Sequence, residues 1–508
     1  MSYVLRALTI LAFVSAAKSA AGDARARPNI VVILCDDLGY GDLQVLNPQR
    51  GKIPTPNIDR LAADGMRFTD AHSSCSVCTP SRYSLLTGRY SWRSRLQSGV
   101  LNGMSEPLLA SNQLTLATFL KQQGYDTACF GKWHLGLQFG PDQFASPIAD
   151  GPLQHGFNRF YGIAASLDMP PFAWIDDDHF PEAPTMTKTF MRSGPAAPSF
   201  EAIDVLPALT AKSIEFIKSH GDQPRDGANS DAQTDANQPH PYFLYLPLAS
   251  PHTPLVPTPA WQGRSGLGEY ADFLMQTDAA IGEILHAIDD AGQRDRTLVV
   301  LTSDNGFAPY VKPEHLEQQG HYPSANFRGY KSDVWEGGHR IPFLVRWPGV
   351  VAANAKSSQL VGQIDLVATV ADLLDEPLPA DAAVDSVSIL PILQGDDRPV
   401  RKHAIQQSAD GYFAIRDGQW KLELCAGSGG WSEPREPQAA KRKLPPDQLY
   451  DLAHDPGEQQ NIAANHPEMV ARLTQLLEES IANGRTTPGP KQQNDAEIVI
   501  RKPAKPRH

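Results

Sequence analysis

Cysteine is scarce in this sequence of 508 residues, which contains five, at positions 35, 75, 78, 129 and 425. So few thiols in so long a chain exclude a disulfide framework as the basis of the fold. Cys35 and Cys129 lie in apolar runs of strand length, which is typical of thiols buried in a core. With 41% hydrophobic and 20% charged residues, the chain has the composition of a globular protein, and its length suits two domains.

Positive charge is also in deficit. The chain has 45 Lys and Arg residues against 57 Asp and Glu residues, a formal net charge of −12. This balance argues against a nucleic-acid partner and against a polybasic membrane-binding surface. An anionic substrate would have to be attracted by a local group of cations or by a metal ion, because the overall field of the protein repels it.

Long apolar runs are missing as well. The run near the N-terminus, residues 7–17, is interrupted by Thr9 and Ser15 and is shorter than the ~20 residues that a membrane span requires. It follows Arg6 and precedes the small residues at 19–21. This arrangement predicts a secretory signal peptide over residues 1–21, not an N-terminal membrane anchor. We therefore expect a secreted or periplasmic protein without a membrane span.

The sequence does contain an alternation of buried strands and amphipathic helices. Helical patterns lie between the predicted strands, and polar motifs follow several strands directly, where open α/β sheets bind ligands. This order predicts an α/β fold with a large, mixed, mostly parallel sheet sandwiched by helices. The predicted strands are residues 28–35, 126–130, 242–246, 297–302 and 341–346, and the predicted helices are 56–64, 112–123, 201–219 and 269–291.

The pattern changes after about residue 395, so we expect a first domain over residues 22–395 and a smaller α+β domain over 396–484. Short strand-like runs, with a turn at Asp417-Gly418, predict that the second domain is built on an antiparallel sheet. Residues 220–241 are rich in polar residues, Gly and Pro, and predict a flexible insertion. Residues 485–508 predict a loose tail. The strand-like runs are 403–407, 412–416, 420–424 and 449–452, and a helical pattern covers 466–482.

The most informative stretch is Cys78-Thr-Pro-Ser-Arg82, followed by Leu86-Thr-Gly-Arg89. Proline favours the first turn of a helix and Gly88 ends one, so Cys78 should stand at a helix N-terminus. Free N–H groups and the helix dipole favour an anion there, and Arg82, one turn on, should bind the same oxyanion. Taken alone, Cys75-x-x-Cys78 is equally compatible with a redox pair, half of a zinc site or a buried structural cysteine.

These two strings resemble the signature of the type I, formylglycine-dependent sulfatases of the alkaline phosphatase superfamily. Further matching motifs extend the resemblance over about residues 28–483. Among these motifs are Gly131-Lys-Trp-His134 and Glu336-Gly-Gly-x-Arg340-x-Pro342. The resemblance implies a sulfuric ester hydrolase in which a maturation enzyme oxidises Cys78 to formylglycine (3-oxoalanine). The hydrate of that aldehyde would be the nucleophile and would pass through a sulfated enzyme intermediate.

Two pairs of oxygen-bearing side chains follow two of the predicted strands. Asp36 and Asp37 come after the first strand, and Asp304 and Asn305 after the fourth. Hard oxygen ligands suit Ca²⁺ or Mg²⁺, not zinc or copper, although each pair alone is more typical of capping or turns. The resemblance implies that all four bind a calcium ion, with Mg²⁺ as the alternative, and that the modified Cys78 is a further ligand.

The resemblance also assigns roles to cations and imidazoles. It implies that Lys132 holds a sulfate oxygen and that His134 orients a formylglycine hydroxyl and helps the later intermediate to collapse. On an extended segment these two side chains would face the same side. His252 and Lys331 would polarise or protonate the leaving oxygen. Considered singly, a lysine or histidine of this kind is usually a surface or loop residue.

The substrate is predicted only in outline. Export favours a sulfated carbohydrate, with a 6-O-sulfated galactose-type sugar as the working hypothesis. The resemblance places Ser166 near the sulfate; Asp168 would accept hydrogen bonds from sugar hydroxyls and Trp174 would stack on a pyranose. The same segment is equally typical of a packed loop.

Two other functions compete with this interpretation. The first is a phosphodiester or phosphonate monoester hydrolase of the same superfamily; those enzymes usually favour transition metals with extra His ligands, so the all-oxygen ligand set argues against it. The second is a sulfate-binding protein without activity, which is disfavoured because every motif residue is present.

Overall fold

The computed structural model describes residues 27–221 and 240–502. The predicted signal peptide and most of the predicted insertion at 220–241 lie outside the described residues. No helix in these ranges has both the length and the apolar character needed to cross a membrane.

The strands are β1 Asn29–Cys35, β2 Met66–Phe68, β3 Ala71–His72, β4 Asp126–Lys132, β5 Arg159–Ile163, β6 Ile175–Asp176, β7 Met186–Phe190, β8 Arg192–Ala196, β9 Tyr242–Pro247, β10 Thr297–Ser303, β11 Phe343–Arg346, β12 Ala355–Ser357, β13 Val361–Gly362, β14 His403–Gln407, β15 Phe413–Asp417, β16 Trp420–Glu423 and β17 Gln448–Asp451. The helices are α1 Pro56–Ala63, α2 Cys78–Thr87, α3 Leu116–Gln122, α4 Val205–Ser219, α5 Glu269–Asp290, α6 Pro313–Gln318, α7 Glu336–His339, α8 Leu366–Leu373, α9 Leu390–Leu393, α10 Glu436–Lys441 and α11 Pro467–Ala482.

In the described part of the chain β1 lies at the centre of a nine-stranded sheet with the order β12-β2-β11-β10-β1-β9-β4-β5-β6. β1 runs parallel to both of its neighbours, β10 and β9, and β4 runs parallel to β9 and β5. β11 is antiparallel to β10 and to β2. The predicted α/β fold with a mixed, mostly parallel sheet is therefore confirmed.

The central strands are covered on both faces. Every residue of β1, β9 and β10 is buried, and successive side chains of a strand point to opposite faces of the sheet. One group of helices consists of α1, α4 and α5, in which α1 and α4 both pack against α5 and α4 contacts β4; a second group consists of α2, α3 and α8, in which α3 contacts β4. This double burial explains why the strands are continuous apolar runs and do not alternate with polar residues.

Residues 403–482 form the predicted antiparallel unit. β14, β15, β16 and β17 pair in that order, each antiparallel to the next, and α11 packs against β15 and β16. Its side chains form a separate apolar cluster that includes Ile405, Phe413, Ile415, Leu422, Leu449, Leu473 and Leu477. Trp92 of the first domain also belongs to this cluster, so the two domains share a packed boundary.

The start of α3 and the C-terminal tail differ from the sequence predictions. α3 begins at Leu116 and not at 112, because the Thr115 side chain accepts the Thr118 N–H at 3.0 Å and caps the helix there. The prediction of a loose tail is wrong for residues 485–502. Asp495 pairs with Arg89 at 2.9 Å, and Thr486 N–H donates to Asp385 Oδ1 at 3.0 Å, so hydrogen bonds hold a segment that has no helix or strand.

Candidate active site

The site lies at the carboxyl ends of β1 and β10, which are neighbours in the sheet. Cys35 pairs with Ser303 in the register of these strands, so the residues that follow each strand are brought side by side. The Asp37 N–H donates to Asp304 Oδ1 at 3.2 Å, and Asn305 Nδ2 donates to Asp37 Oδ1 at 2.7 Å. The predicted ligands Asp36, Asp37, Asp304 and Asn305 are thus one buried group.

Cys78 begins α2, and Gly88 ends it with a left-handed φ of 63°, as the sequence predicted. The Sγ atom lies 3.8 Å from Asp36 Oδ1. Burial raises the pKa of the Cys78 thiol to about 12, and the nearby Lys132 and Lys331 offset only part of this effect. An unmodified thiol at this position is therefore protonated at neutral pH and is a weak nucleophile.

The two thiols of Cys75-x-x-Cys78 are free and have different surroundings. Cys75 Sγ lies 3.9 Å from the Ser408 carbonyl oxygen, whereas Cys78 Sγ lies beside Asp36. Within the described residues, the group that could hold a metal at Cys78 contains Asp36, Asp37 and His252 and no second cysteine. This arrangement matches neither a disulfide nor a thiolate zinc site.

Arg82 has a different partner from the one that we expected. Its Nε and Nη2 atoms donate to Asp304 Oδ2 at 3.1 and 2.7 Å, and Nη1 donates to the Lys132 carbonyl oxygen at 3.0 Å. The side chain is fully buried. Because a buried carboxylate needs a charged partner, the guanidinium binds Asp304, with Nη2 also 3.5 Å from Asp36 Oδ1, and has no open fork for an external anion.

The residues fit a hard divalent cation. The candidate ligand atoms of Asp36, Asp37, Cys78 and His252 all lie within 4.8 Å of one another. Asn305 Oδ1 is buried and has no hydrogen-bond partner, which is unusual for a buried polar atom and typical of a ligand position. Carboxylate and amide oxygens are the donors that such cations prefer.

Two lysines neutralise the buried carboxylates. Lys132 Nζ lies 2.7 Å from Asp36 Oδ2, and Lys331 Nζ lies 2.6 Å from Asp37 Oδ1. Burial alone would raise the pKa of both carboxyl groups, but the lysines, followed by His252, outweigh it and hold each pKa below its ordinary value. Both carboxylates are therefore ionised and can act as ligands.

His252 and Tyr310 meet above Asp37. His252 Nε2 lies 3.0 Å from Tyr310 Oη and 3.6 Å from Asp37 Oδ2. Tyr310 Oη donates to Asp37 Oδ2 at 2.6 Å and accepts a hydrogen bond from Lys331 Nζ at 3.2 Å. One hydroxyl group thus contacts a predicted metal ligand and both residues assigned to the leaving oxygen.

His134 is held in one tautomer by a backbone contact. Its Nε2 lies 2.8 Å from the Leu101 carbonyl oxygen, which can only accept, so Nε2 carries the proton. Burial, with Lys132 and Arg82, holds the pKa of His134 well below its ordinary value. The other nitrogen, Nδ1, is buried without a partner and therefore has a free lone pair.

A cavity of about 400 Å³ opens beside Cys78, and His252, Tyr310 and Lys331 form part of its wall. Of the predicted residues, Cys78, His252, Lys331, Ser166 and Asp168 line it. Ser166 Oγ and Asp168 Oδ1 are buried and have no hydrogen-bond partner. The cavity has the size of a small-molecule site and offers unsatisfied polar atoms to a ligand.

Trp174, in contrast, does not line this cavity. Its ring stacks on Tyr161, with centroids 4.8 Å apart and planes at 17°, and meets Phe200 edge-on at 5.7 Å. Tyr161 covers one face of the Trp174 ring, which fits the packed-loop interpretation, and its stacking on a sugar stays a prediction.

A comparison with protein families supports this geometry. The model of the family described as Sulfatase matches residues 28–376, well over half of the chain. The chain belongs to the sulfatase family. This sulfatase is accordingly an enzyme that hydrolyses sulfuric esters, and the matched range includes Asp36, Cys78, Asp304 and Lys331.

Relatives cover nearly the whole sulfatase. It is 35% identical to the N-acetylgalactosamine-6-O-sulfatase of Bacteroides thetaiotaomicron, over 89% of this chain and 93% of that protein. It is 36% identical to human arylsulfatase A, over 93% of this chain and 92% of that protein. A solved structure from work on glycosaminoglycan metabolism by Bacteroides thetaiotaomicron superposes with a TM-score of 0.77 at 32% identity, covering 89% of this chain and 99% of that one.

The fold extends beyond sulfatases. The phosphonate monoester hydrolase of Agrobacterium radiobacter superposes with a TM-score of 0.56 at 19% identity, covering 90% of this chain and 96% of that one. At this identity the likeness concerns the fold alone. It agrees with the predicted alkaline phosphatase-like architecture, which different ester hydrolases share.

Among the cavity-lining residues that sequence reasoning missed are Tyr310, Arg192 and Trp431. Tyr310 lies five residues after Asn305, and its position beyond a strand end was the one signal that could have indicated it. Arg192 comes from the β7–β8 hairpin, which was not predicted. Trp431 comes from the C-terminal domain, and no local pattern connects it with Cys78.

Proposed function

We propose that this sulfatase releases sulfate from a carbohydrate, with a formylglycine made from Cys78 as nucleophile and a calcium ion held by Asp36, Asp37, Asp304 and Asn305. The observation that carries the proposal is the position of Cys78: it begins α2 beside Asp36 and lines one cavity with Lys331 and His252. Oxygen ligands, fixed cations and an open cavity meet at this side chain.

The surroundings of position 78 favour a modified residue. A hydrated aldehyde there supplies two hydroxyl groups, one to attack sulfur and one to expel the sulfate afterwards. The cysteine itself would form a thiosulfate ester without such an exit, and burial raises the pKa of its thiol to about 12. The unpartnered Nδ1 of His134 is an acceptor that suits removal of a hydroxyl proton. Because Cys78 is 3% exposed, the maturation enzyme must act before the chain folds.

The charges suit a sulfate monoester. A bound calcium ion supplies positive charge for the sulfate oxygens, and several carboxylates in one all-protein cage favour calcium over magnesium. Lys132 and Lys331 are fixed beside the same carboxylates and add to that charge. Since His252 and Lys331 also line the cavity, they are placed to donate a proton to the leaving oxygen.

The carbohydrate follows from the relatives and from the cavity. The relative from Bacteroides thetaiotaomicron acts, by its name, on a 6-O-sulfated N-acetylgalactosamine, so a sugar of this type is the proposed substrate. Ser166 Oγ and Asp168 Oδ1 fit sugar hydroxyl groups because both are buried, lie in the cavity wall and have no partner. A predicted signal peptide would bring the enzyme to the periplasm or the exterior, where sulfated polysaccharides are found.

Expression with and without a formylglycine-generating enzyme tests the nucleophile. Mass spectrometry of the peptide that contains residue 78 gives the converted fraction, and we expect turnover to rise in proportion to it. Cys78→Ala should bind a sulfated sugar without turnover, while Cys75→Ala, which removes the neighbouring free thiol, should retain activity. Full activity of protein that keeps the Cys78 thiol would refute the proposal.

A substrate panel tests the ester and the sugar. We expect release of sulfate from an aryl sulfate at a much higher kcat/KM than release of phosphate from the matching aryl phosphate. Among sulfated monosaccharides, the 6-sulfates of galactose-type sugars should be the best substrates. A higher kcat/KM for the phosphate ester would instead favour the phosphoesterase alternative, and turnover of aryl sulfate without any sugar sulfate would contradict the proposed substrate class.

A further inference from the structure

The β7–β8 hairpin is anchored to the segment that carries Ser166 and Asp168. Phe172 N–H donates to the Pro195 carbonyl oxygen at 2.8 Å, and Ala197 N–H donates to the Phe172 carbonyl oxygen at 2.9 Å. The Phe190 ring packs edge-on against Phe172, with centroids 4.9 Å apart. The hairpin and the cavity wall are therefore fixed to each other, although they are separate in sequence.

This anchoring brings Arg192, the first residue of β8, into the cavity wall. Its Nε atom lies 3.4 Å from Asp168 Oδ2, and the side chain of Arg192 is 57% exposed while that of Asp168 is 8% exposed. In the described part of the chain no other group pairs with the Arg192 guanidinium. Asp168 thus positions the side chain and leaves both Nη groups available to a ligand in the cavity.

Arg192 differs from the other cations of the site. Arg82, Lys132 and Lys331 are buried and paired with Asp304, Asp36 and Asp37 respectively. Among the described residues of the cavity wall, Arg192 is the cation with a mainly exposed side chain. Since the protein as a whole carries a net charge of −12, an anionic polymer needs such a local positive group in order to approach.

From this arrangement we infer that Arg192 binds an anionic group on the sugar that adjoins the sulfated one, either a uronic acid carboxylate or a second sulfate. The inference rests on the proposed carbohydrate substrate and concerns the same cavity. A planar guanidinium binds carboxylate or sulfate oxygens through two parallel N–H bonds. The enzyme would accordingly prefer acidic glycans to neutral ones that carry the same sulfate ester.

Three matched disaccharides test this preference, each with the same 6-sulfated sugar. The first has a neighbouring uronic acid, the second has that carboxyl group reduced to an alcohol, and the third is the reduced form with a sulfate on the neighbouring sugar. We expect the natural sequence to favour an acidic neighbour. The kcat/KM for the disaccharide with the uronic acid, for the one with the second sulfate, or for both should be about tenfold higher than the kcat/KM for the neutral, reduced disaccharide. The preference should weaken as salt is added, because the guanidinium is exposed.

Arg192→Gln should remove the preference, so that the kcat/KM ratio of acidic to neutral disaccharide falls to about one, and Arg192→Lys should retain part of it. Arg398→Gln is the matched control, because Arg398 is an exposed arginine outside the cavity that pairs with Asp396. An unchanged ratio in Arg192→Gln, or equal turnover of all three disaccharides by the natural sequence, would overturn the inference.

The experiment also separates the two proposals. If the natural sequence releases sulfate from the neutral disaccharide and from a sulfated monosaccharide but shows no preference for acidic neighbours, the carbohydrate function stands and the role of Arg192 is wrong. If it hydrolyses an aryl sulfate and no sulfated sugar, the carbohydrate function and the role of Arg192 are both wrong.

Discussion

At the scale of single residues, several buried polar atoms of the site have no hydrogen-bond partner. Asn305 Oδ1, His134 Nδ1 and Ser166 Oγ are all buried and lack a hydrogen-bond partner. A protein that leaves such atoms unpaired loses stability unless a ligand completes them. Each of these atoms belongs to a residue predicted for the site. A ligand bound there would satisfy these atoms and would therefore also stabilise the fold.

Removal of the proposed calcium ion should therefore affect both activity and stability. Treatment with a chelator is expected to abolish turnover and to lower the midpoint of thermal unfolding, and added Ca²⁺ should restore both. A cation present at a hundred times its Kd adds about 2.7 kcal/mol to the free energy of unfolding. Asn305→Ala, which removes one of the proposed ligands, should need more Ca²⁺ for the same shift. Identical unfolding with Ca²⁺ and with chelator would contradict the assignment.

Tyr310 provides a second test at this scale. Its hydroxyl group lies 2.6 Å from Asp37 Oδ2 and 3.0 Å from His252 Nε2, so it orients a proposed metal ligand and a proposed proton donor together. Tyr310→Phe keeps the ring and removes these contacts. We expect kcat to fall by about tenfold or more, with a smaller change in KM. An unchanged kcat would show that the hydroxyl group has no positioning role.

At the scale of elements, α2 is the helix that positions Cys78, and Gly88 fixes where it ends. Gly88 has φ of 63°, and a Cβ atom there would lie 2.7 Å from Ala383 Cβ. Gly88→Ala should lower the free energy of unfolding by about 2–4 kcal/mol, since backbone strain and a steric clash act together.

Gly124 offers a matched control for this substitution. It follows α3 with φ of 83°, and a Cβ atom there would have nothing within 4 Å. Gly124→Ala should therefore show the effect of backbone strain alone. We expect the free energy of unfolding, measured in a urea titration, to fall by about 1 kcal/mol. Equal losses in both variants would mean that Ala383 moves aside, and the close contact at Gly88 would then carry no cost.

The elements also show what the sequence could predict. The strands before Asp36 and Asp304 were recognised because both of their faces are buried, which produces continuous apolar runs. The acidic pairs were expected at the carboxyl ends of strands, but it was the family resemblance, and not the strand pattern, that grouped them in one site. The β7–β8 hairpin was missed because its strands are mostly exposed and therefore lack that pattern.

Side-chain partners were less predictable than elements, because they depend on long-range contacts. Nothing in the spacing of Cys78 and Arg82 indicates that Arg82 binds Asp304, which lies 222 residues further on. Tryptophan is a residue type that often stacks on sugars, and only the folded chain shows that Tyr161 stacks on the ring of Trp174. Trp431 reaches the cavity from another domain.

At the scale of the whole molecule, buried ion pairs join the two domains. Lys421 on β16 contacts Glu336 of the first domain at 3.1 Å and Glu458 of the second at 2.6 Å. Asp70 of the first domain pairs with Arg416 on β15 at 2.7 Å. Because Ala409 and Trp431 complete the cavity from the C-terminal side, this boundary must be fixed for the site to keep its shape.

Lys421→Met tests the contribution of this boundary. The change would leave the fully buried carboxylates of Glu423 and Glu458 without this cation, whereas Glu336 keeps its ion pair with Arg340. Removing one partner of a buried ion pair costs about 3–5 kcal/mol, because the remaining charge is neither solvated nor paired. We therefore expect a large drop in the urea concentration at the midpoint of unfolding, together with lost activity in any protein that still folds.

Arg398→Gln, at an exposed ion pair, should leave this midpoint unchanged. If Lys421→Met unfolds at the same urea concentration as the natural sequence, the buried cluster does not hold the domains together, and apolar packing around Trp92 must do so instead.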